Sequence, residues 1–218
     1  MVRQRMQDSQ GMTGTMTPMM DSVPFRKESS LEFVALAGLV SRATVFELDE
    51  RMLQCLRHPS LRDTLSEMDI DFGEWISQSD QVVFDEAAED YAKLFVLPDG
   101  PTSRLSLHVP GERTTLGLRL GHTIRQACSE LGFVSIEQPP WGNMPEDHVG
   151  LVFEVLARAA SVADSDGLAS RWIARINREV LELAIPSWST GVLLHARTPF
   201  YRCIAELSLA CVSCFGGA

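Results

Sequence analysis

The chain has 218 residues, 45% of them hydrophobic and 22% charged, with a formal net charge of −10 at pH 7. This size and composition predict one globular domain with a sizeable core, and the acidic balance argues against nucleic acid as the main partner, since phosphate binding needs a basic face. A basic peptide would be attracted to such a surface, although acidity that serves only solubility is the alternative. The five cysteines show no framework spacing, and neither an apolar signal sequence nor a membrane-spanning apolar run occurs. We therefore expect a cytoplasmic protein with reduced thiols and no stable membrane insertion.

Apolar periodicity predicts the elements in chain order. Residues 1–28 are rich in Met, Thr, Ser and Gln without periodicity, which predicts a disordered tail. Residues 29–218 predict a single all-α domain, a bundle of about eight to ten helices with no strong strand. The expected helical ranges are about 29–40, 49–57, 61–68, 73–77, 80–96, 114–131, 145–163, 168–185, a short helix through 192–194, and a last helix from 198 onwards.

Glycine and proline set several expected helix ends. Gly132 predicts the C-terminus of the helix before it, because glycine readily adopts the left-handed conformation that closes a helix. Pro186 predicts a break, because its ring cannot continue a regular helix. Thr198 is suited to cap the last helix, with Pro199 at its first position.

The stretch over residues 137–156 is the most distinctive part of the sequence. The Pro-Pro-Trp-Gly run at 139–142 excludes regular structure. Pro145 is suited to the first position of a helix, and Glu146 and Asp147 to its first turn, where the helix dipole favours negative charge. We expect this corner to deliver both carboxylates and His148 to one helix N-terminus. The core-facing residues of that helix are expected to be Val149, Val152, Phe153 and Leu156.

No residue type or spacing predicts catalysis. The sequence contains no nucleophile elbow, glycine-rich phosphate loop or HExxH motif. Asp147 and His148 are adjacent and point about 100° apart on a helix, so that they do not form a ready-made acid–base pair. Catalysis, helix capping with core packing, and ligand binding remain open for them. Cys211 and Cys214 have the spacing of a redox or zinc site, or are small apolar residues of the last helix. We expect no resident cofactor and no metal.

Three segments, in order along the chain, carry a family resemblance. Residues 91–98 (YAKLFVLP) are similar to an aromatic-x-x-Leu-Phe-x-x-Pro run, and residues 145–148 (PEDH) to a Pro-x-Asp-His element. Residues 186–190 (PSWST) and 198–202 (TPFYR) are similar to Pro-Trp and Pro-Phe-Tyr elements. Together they resemble the TorD/DmsD/NarJ family of redox-enzyme maturation chaperones, most closely its DmsD-like branch.

The resemblance implies an all-helical, non-enzymatic, cytoplasmic chaperone of anaerobic respiration. Such proteins bind the twin-arginine leader of an apo-molybdoenzyme catalytic subunit of the dimethyl sulfoxide reductase type, hold back its export and assist cofactor insertion. We expect Asp147 and His148, supported by Pro145 and Glu146, to meet the leader near its arginines, because guanidinium pairs well with carboxylate in forked geometry. The apolar part of the peptide groove is expected to be lined by Tyr91, Leu94 and Phe95.

Two other readings stay open. One is an assembly chaperone for a folded respiratory redox subunit of the nitrate reductase type; the other is a small hydrolase that uses His148. Either a monomer or a domain-swapped dimer is compatible with the sequence. Direct binding of a nucleotide or of the molybdenum cofactor is left undecided by these residues.

Overall fold

The structure is a computed structural model that describes residues 27–109, 113–133, 144–163 and 165–215. Within these ranges the chain is almost entirely helical, and the all-α prediction is confirmed. No strand forms there; Arg104 and His148 make one isolated antiparallel bridge. None of the described helices combines the length and the apolar character needed to cross a bilayer. The α-helices are α1 (Lys27–Val45), α2 (Glu50–Arg57), α3 (Pro59–Glu67), α4 (Asp80–Tyr91), α5 (Arg113–Glu130), α6 (Val149–Val162), α7 (Gly167–Ile176), α8 (Glu182–His195) and α9 (Pro199–Phe215).

Helix α6 lies at the centre of the bundle and packs along α1 over most of its length. Its sequence is apolar on nearly every face, which is typical of a helix surrounded by others. The four residues expected to face the core are confirmed there, each with no exposed surface: Val149, Val152, Phe153 and Leu156. The start of α6 is therefore fixed firmly in the interior.

The predicted helix boundaries agree with the structure where local capping decides them. The Asp49 carboxylate accepts a hydrogen bond from the Met52 amide at 2.8 Å and caps α2. Helix α5 ends before Gly132, whose φ of +69° is in the left-handed region that favours glycine. Helix α1 begins at Lys27, so that residues 27 and 28 are helical and not part of a tail; residues 1–26 and the run at 139–142 lie outside the described residues.

The predicted break at Pro186 is wrong, because the proline lies inside α8. A π-helical segment, Asn177–Leu181, precedes it and joins α7 to α8. Such a segment bonds five residues back and widens the helix just before the proline. Pro186 removes only one backbone donor, while Trp188 and Val192 on the same helix are fully buried. Their packing outweighs the local preference of proline to end a helix.

Residues 101–107, which we call the strap, link two distant parts of the fold. The Thr102 amide donates to the Leu94 carbonyl at 3.2 Å, within the π-helical segment Ala92–Val96 that extends α4. One residue later, the Ser103 carbonyl accepts from the Val149 amide at 2.8 Å, at the first residue of α6. The strap thus holds the end of α4 and the start of α6 in a fixed relation.

Candidate functional site

The corner over residues 145–148 is a tight turn that precedes α6. The His148 amide donates to the Pro145 carbonyl at 2.9 Å, and His148 Nδ1 accepts from the Gly150 amide at 3.1 Å. His148 is therefore the N-cap residue, and α6 begins at Val149. The expectation that Pro145 occupies the first helical position, with Glu146 and Asp147 in the first turn, is wrong. An imidazole nitrogen performs the capping that Ser, Thr, Asp or Asn usually provides.

Asp147 is buried, with 3% of its surface exposed, and its carboxylate has internal partners. Oδ2 accepts hydrogen bonds from the Ser106 hydroxyl and, at 3.3 Å, from the Ser106 amide. Oδ1 accepts from Arg104 Nε at 3.3 Å, and the main-chain oxygen accepts from the Leu105 amide at 2.9 Å. One oxygen of the side chain thus anchors the strap, while the other meets a single guanidinium from a half-exposed arginine.

His148 is also buried, with 9% of its surface exposed. Burial lowers its pKa to about 4, although the charge of Asp147 acts in the opposite direction. The ring is neutral at pH 7 and uses Nδ1 to cap α6. Among the described residues, no hydroxyl or thiol forms a hydrogen bond with this ring.

Glu146 is the corner carboxylate that reaches the surface, and Arg125 of α5 pairs with it. Glu146 Oε1 accepts from Arg125 Nε at 2.7 Å and also from Nη2. Oε2 lies against α5 at Gly121, where an added Cβ would be 2.6 Å from this oxygen. The absence of a side chain at Gly121 therefore allows Glu146 to rest directly on the helix.

An open cleft of about 780 Å³ lies between the strap, α5 and the corner. Its charged lining consists of two carboxylates and two guanidinium groups, those of Glu146, Asp147, Arg104 and Arg125. Each carboxylate holds one guanidinium, and the two guanidinium groups come from different elements, the strap and α5. The corner is thus a place where two guanidinium groups bind adjacent acidic residues.

The rim of the cleft is apolar. Leu118 of α5 is 72% exposed and Leu107 of the strap is 40% exposed, and both line the cleft together with Met144 and Pro145. Both leucines belong to the lining of the same cleft. The cleft therefore combines an ionic floor with an apolar rim.

The three residues expected to line an apolar groove lie elsewhere. Leu94 is fully buried, and Phe95 stacks on Trp188 with ring centroids 6.3 Å apart. The Tyr91 hydroxyl donates to the Val45 carbonyl at 2.8 Å. Leu94 belongs to the core, Tyr91 and Phe95 belong to an aromatic cluster packed against it, and none of the three lines the cleft. Their contact with a peptide stays a prediction.

Sequence reasoning missed the basic and apolar partners of the corner. Arg104 and Arg125 are separated from their acidic partners by 43 and 21 residues, and no short-range sequence pattern predicts ion pairs over such distances. Gly117 and Gly121 give the one usable signal. They are four residues apart on α5 and mark a face that another segment can approach closely, here Ser106 and Glu146.

The spacing of Cys211 and Cys214 raised the question of a redox or metal site in the last helix. Burial raises the pKa of Cys211 to about 12, which disfavours the reactive thiolate. No cluster of three His, Cys, Asp or Glu side chains that could hold a metal ion occurs in the part of the chain that the structure describes.

No known protein family, curated protein or solved structure matches this chain.

Proposed function

We propose that the protein is a cytoplasmic chaperone that binds the twin-arginine leader of a molybdenum-cofactor oxidoreductase of the dimethyl sulfoxide reductase type. Binding would hold back export and assist cofactor insertion into the apo-enzyme. The resemblance of residues 91–98, 145–148 and 186–202 to the TorD/DmsD/NarJ family supports this proposal, as does the all-helical fold.

The observation that carries the proposal is the pair of guanidinium groups at the corner. Glu146 and Asp147 are adjacent in sequence, and each accepts hydrogen bonds from a different arginine of the same chain. Consecutive side chains of an extended peptide point to opposite sides, so that twin arginines need two separate acceptors and not one. Arg104 and Arg125 mark two such positions, which a leader can occupy in exchange.

The apolar rim supports the same ligand class. A twin-arginine leader has a cationic head followed by an apolar stretch. With its arginines at the corner, the apolar stretch would run along Leu107 and Leu118, the two exposed leucines of the cleft. Burial of each leucine side chain contributes up to about 2 kcal/mol of binding free energy. The net charge of −10 adds long-range attraction for the cationic head.

Calorimetry tests the proposal directly. The probe is a synthetic peptide of about 25 residues with two consecutive arginines before an apolar stretch, compared with the same peptide carrying two lysines. We expect the arginine peptide to bind about ten-fold tighter, because a lysine ammonium cannot form the forked contact with a carboxylate. Glu146→Gln should weaken binding of the arginine peptide about five-fold, the effect of one charged contact at a partly exposed site.

Glu74→Gln is the matched control for net charge. Glu74 is exposed, lies in the 3₁₀ turn Gly73–Ser77 and does not line the cleft. Its substitution removes the same unit of charge and should leave affinity within about two-fold of the wild type at physiological salt, where screening weakens distant charges. Equal affinity for the arginine and lysine peptides, or equal effects of the two substitutions, would contradict the proposal.

A further inference from the structure

The ion pair between Arg125 and Glu146 occupies the surface acceptor of the corner. Both hydrogen bonds from Arg125, from Nε and Nη2, end on Oε1 of Glu146. The other oxygen, Oε2, lies against α5 at Gly121, 2.6 Å from the position that an added Cβ would take. A carboxylate oxygen has two lone pairs, and both of those on Oε1 are in use. An incoming guanidinium that binds Oε1 of Glu146 must therefore take the place of Arg125.

The ion pair between Arg104 and Asp147 is a weaker obstacle to a ligand than the pair between Arg125 and Glu146. Arg104 makes one hydrogen bond to Asp147, at 3.3 Å, which is longer than a strong charged contact. Its side chain is half-exposed and can leave without moving the strap, because Oδ2 of Asp147 is bonded to Ser106. Of the two arginines, Arg125 holds its partner with more bonds and presents the larger obstacle.

We infer that Arg125 is a built-in competitor of the ligand: it occupies Glu146 in the free protein and is displaced when a guanidinium of the bound peptide takes its place. The inference rests on the proposed function and adds its regulation. Displacement has a small cost, because Arg125 and Glu146 have side chains that are 67% and 41% exposed, and ion pairs of this kind stabilise weakly. The competition therefore lowers affinity a few-fold and does not abolish binding.

The competition does not change the order of preference between ligands. Every cation that binds Glu146 must displace the same Arg125 side chain, which forms two hydrogen bonds there, so that each affinity falls by the same factor. The preference for arginine over lysine comes from the contact at Glu146 itself, because a lysine ammonium is more strongly hydrated and lacks the forked geometry.

Arg125→Gln tests the inference, with Arg119→Gln as the matched control. Arg119 is exposed on the same helix, and no ion pair to it is found among the described residues. Both substitutions remove one positive charge near the cleft, but only the first frees Glu146. We expect Arg125→Gln to tighten binding of the arginine peptide about three-fold beyond any gain seen with Arg119→Gln. The preference for the arginine over the lysine peptide should stay the same, because both peptides displace the same side chain from Glu146.

A Glu146→Gln background completes the design. There Arg125 has no carboxylate to occupy, so that Arg125→Gln should have the same effect on affinity as Arg119→Gln. Equal effects of the two arginine substitutions with Glu146 present, or weaker binding by Arg125→Gln, would overturn the inference. Failure of the proposed function has a different signature, namely a wild-type protein that does not distinguish the arginine from the lysine peptide. Thermal unfolding of each variant checks that the exposed substitutions leave the fold intact.

Discussion

The buried, neutral state of His148 makes stability depend on pH in a predictable window. Burial lowers the pKa of His148 from an ordinary value of 6.5 to about 4 in the folded protein. In the unfolded chain the ring is exposed and has its ordinary pKa. Between pH 6.5 and about 4 the unfolded state therefore binds more protons than the folded state, and acidification favours unfolding. The stability that the neutral ring confers is complete above this window and is lost as pH falls through it.

The two pKa values give the size of the effect. The total loss across the window is about 3 kcal/mol, of which about 2 kcal/mol is lost between pH 7 and pH 5. Urea denaturation at these two pH values measures the free energy of unfolding. His148→Asn is the informative variant, because an asparagine oxygen can still accept the hydrogen bond from the Gly150 amide but does not titrate.

The slope of the free energy of unfolding against pH, compared between the wild type and His148→Asn, separates the effect of His148 from that of the other titrating groups. Carboxylates and the other histidines contribute equally to the wild type and to His148→Asn, so that their effects cancel in the difference. We expect the wild type to lose about 2 kcal/mol more than the variant between pH 7 and pH 5. His195→Asn, at an exposed histidine at the end of α8, is the control and should retain the wild-type slope. Identical slopes for the wild type and His148→Asn would refute the reasoning.

Two further predictions concern the buried Asp90 of α4, which lies away from the cleft, and the contact between Gly121 and Glu146. Asp90→Ala should lower the free energy of unfolding by about 3 kcal/mol, measured by urea denaturation. The reason is that the buried carboxylate accepts hydrogen bonds from the Arg197 and Thr198 amides and from the Thr198 hydroxyl, just before α9. A loss no larger than that caused by Asp85→Ala, at an exposed position of the same helix, would contradict this prediction. Gly121→Ala should displace Glu146, since the new Cβ would be 2.6 Å from Oε2. We expect it to weaken binding of the arginine peptide in calorimetry about as much as Glu146→Gln does, and unchanged affinity would show that Glu146 adjusts without loss.

Local sequence patterns predicted the helices well but placed two prolines wrongly. The apolar spacing of Val149, Val152 and Phe153 identified the face of α6 that is buried, because a helix with this pattern must cover those residues. Pro145 and Pro186 were interpreted from their local preferences alone. At Pro186 the packing of Trp188 keeps α8 intact. Long-range packing decided this position, and no window of neighbouring residues contains that information.

The site itself was predicted in part. The acidic corner was located from the residues around Pro145, but the partners that define its chemistry were not, because Arg104 and Arg125 reach it across 43 and 21 residues of sequence. The N-cap role of His148 was missed for a different reason. Histidine is not among the residues usually expected at an N-cap, and here its Nδ1 accepts the hydrogen bond in a ring that burial keeps neutral.

The run Pro145–His148 combines groups with internal structural roles and groups at the surface of the cleft in four residues. Pro145 closes the turn through its carbonyl, and His148 caps α6 through Nδ1. Asp147 uses Oδ2 to hold the strap. What remains for a ligand is Oδ1 of Asp147 and the carboxylate of Glu146, both of which hold arginines of the same chain. A substitution of His148 or Asp147 would therefore alter binding by moving the corner. Substitutions of Glu146 and Arg125 instead act on the contact between the Glu146 carboxylate and a guanidinium. For this reason Glu146 and Arg125, the exposed pair, are the residues at which ligand recognition can be measured separately from folding.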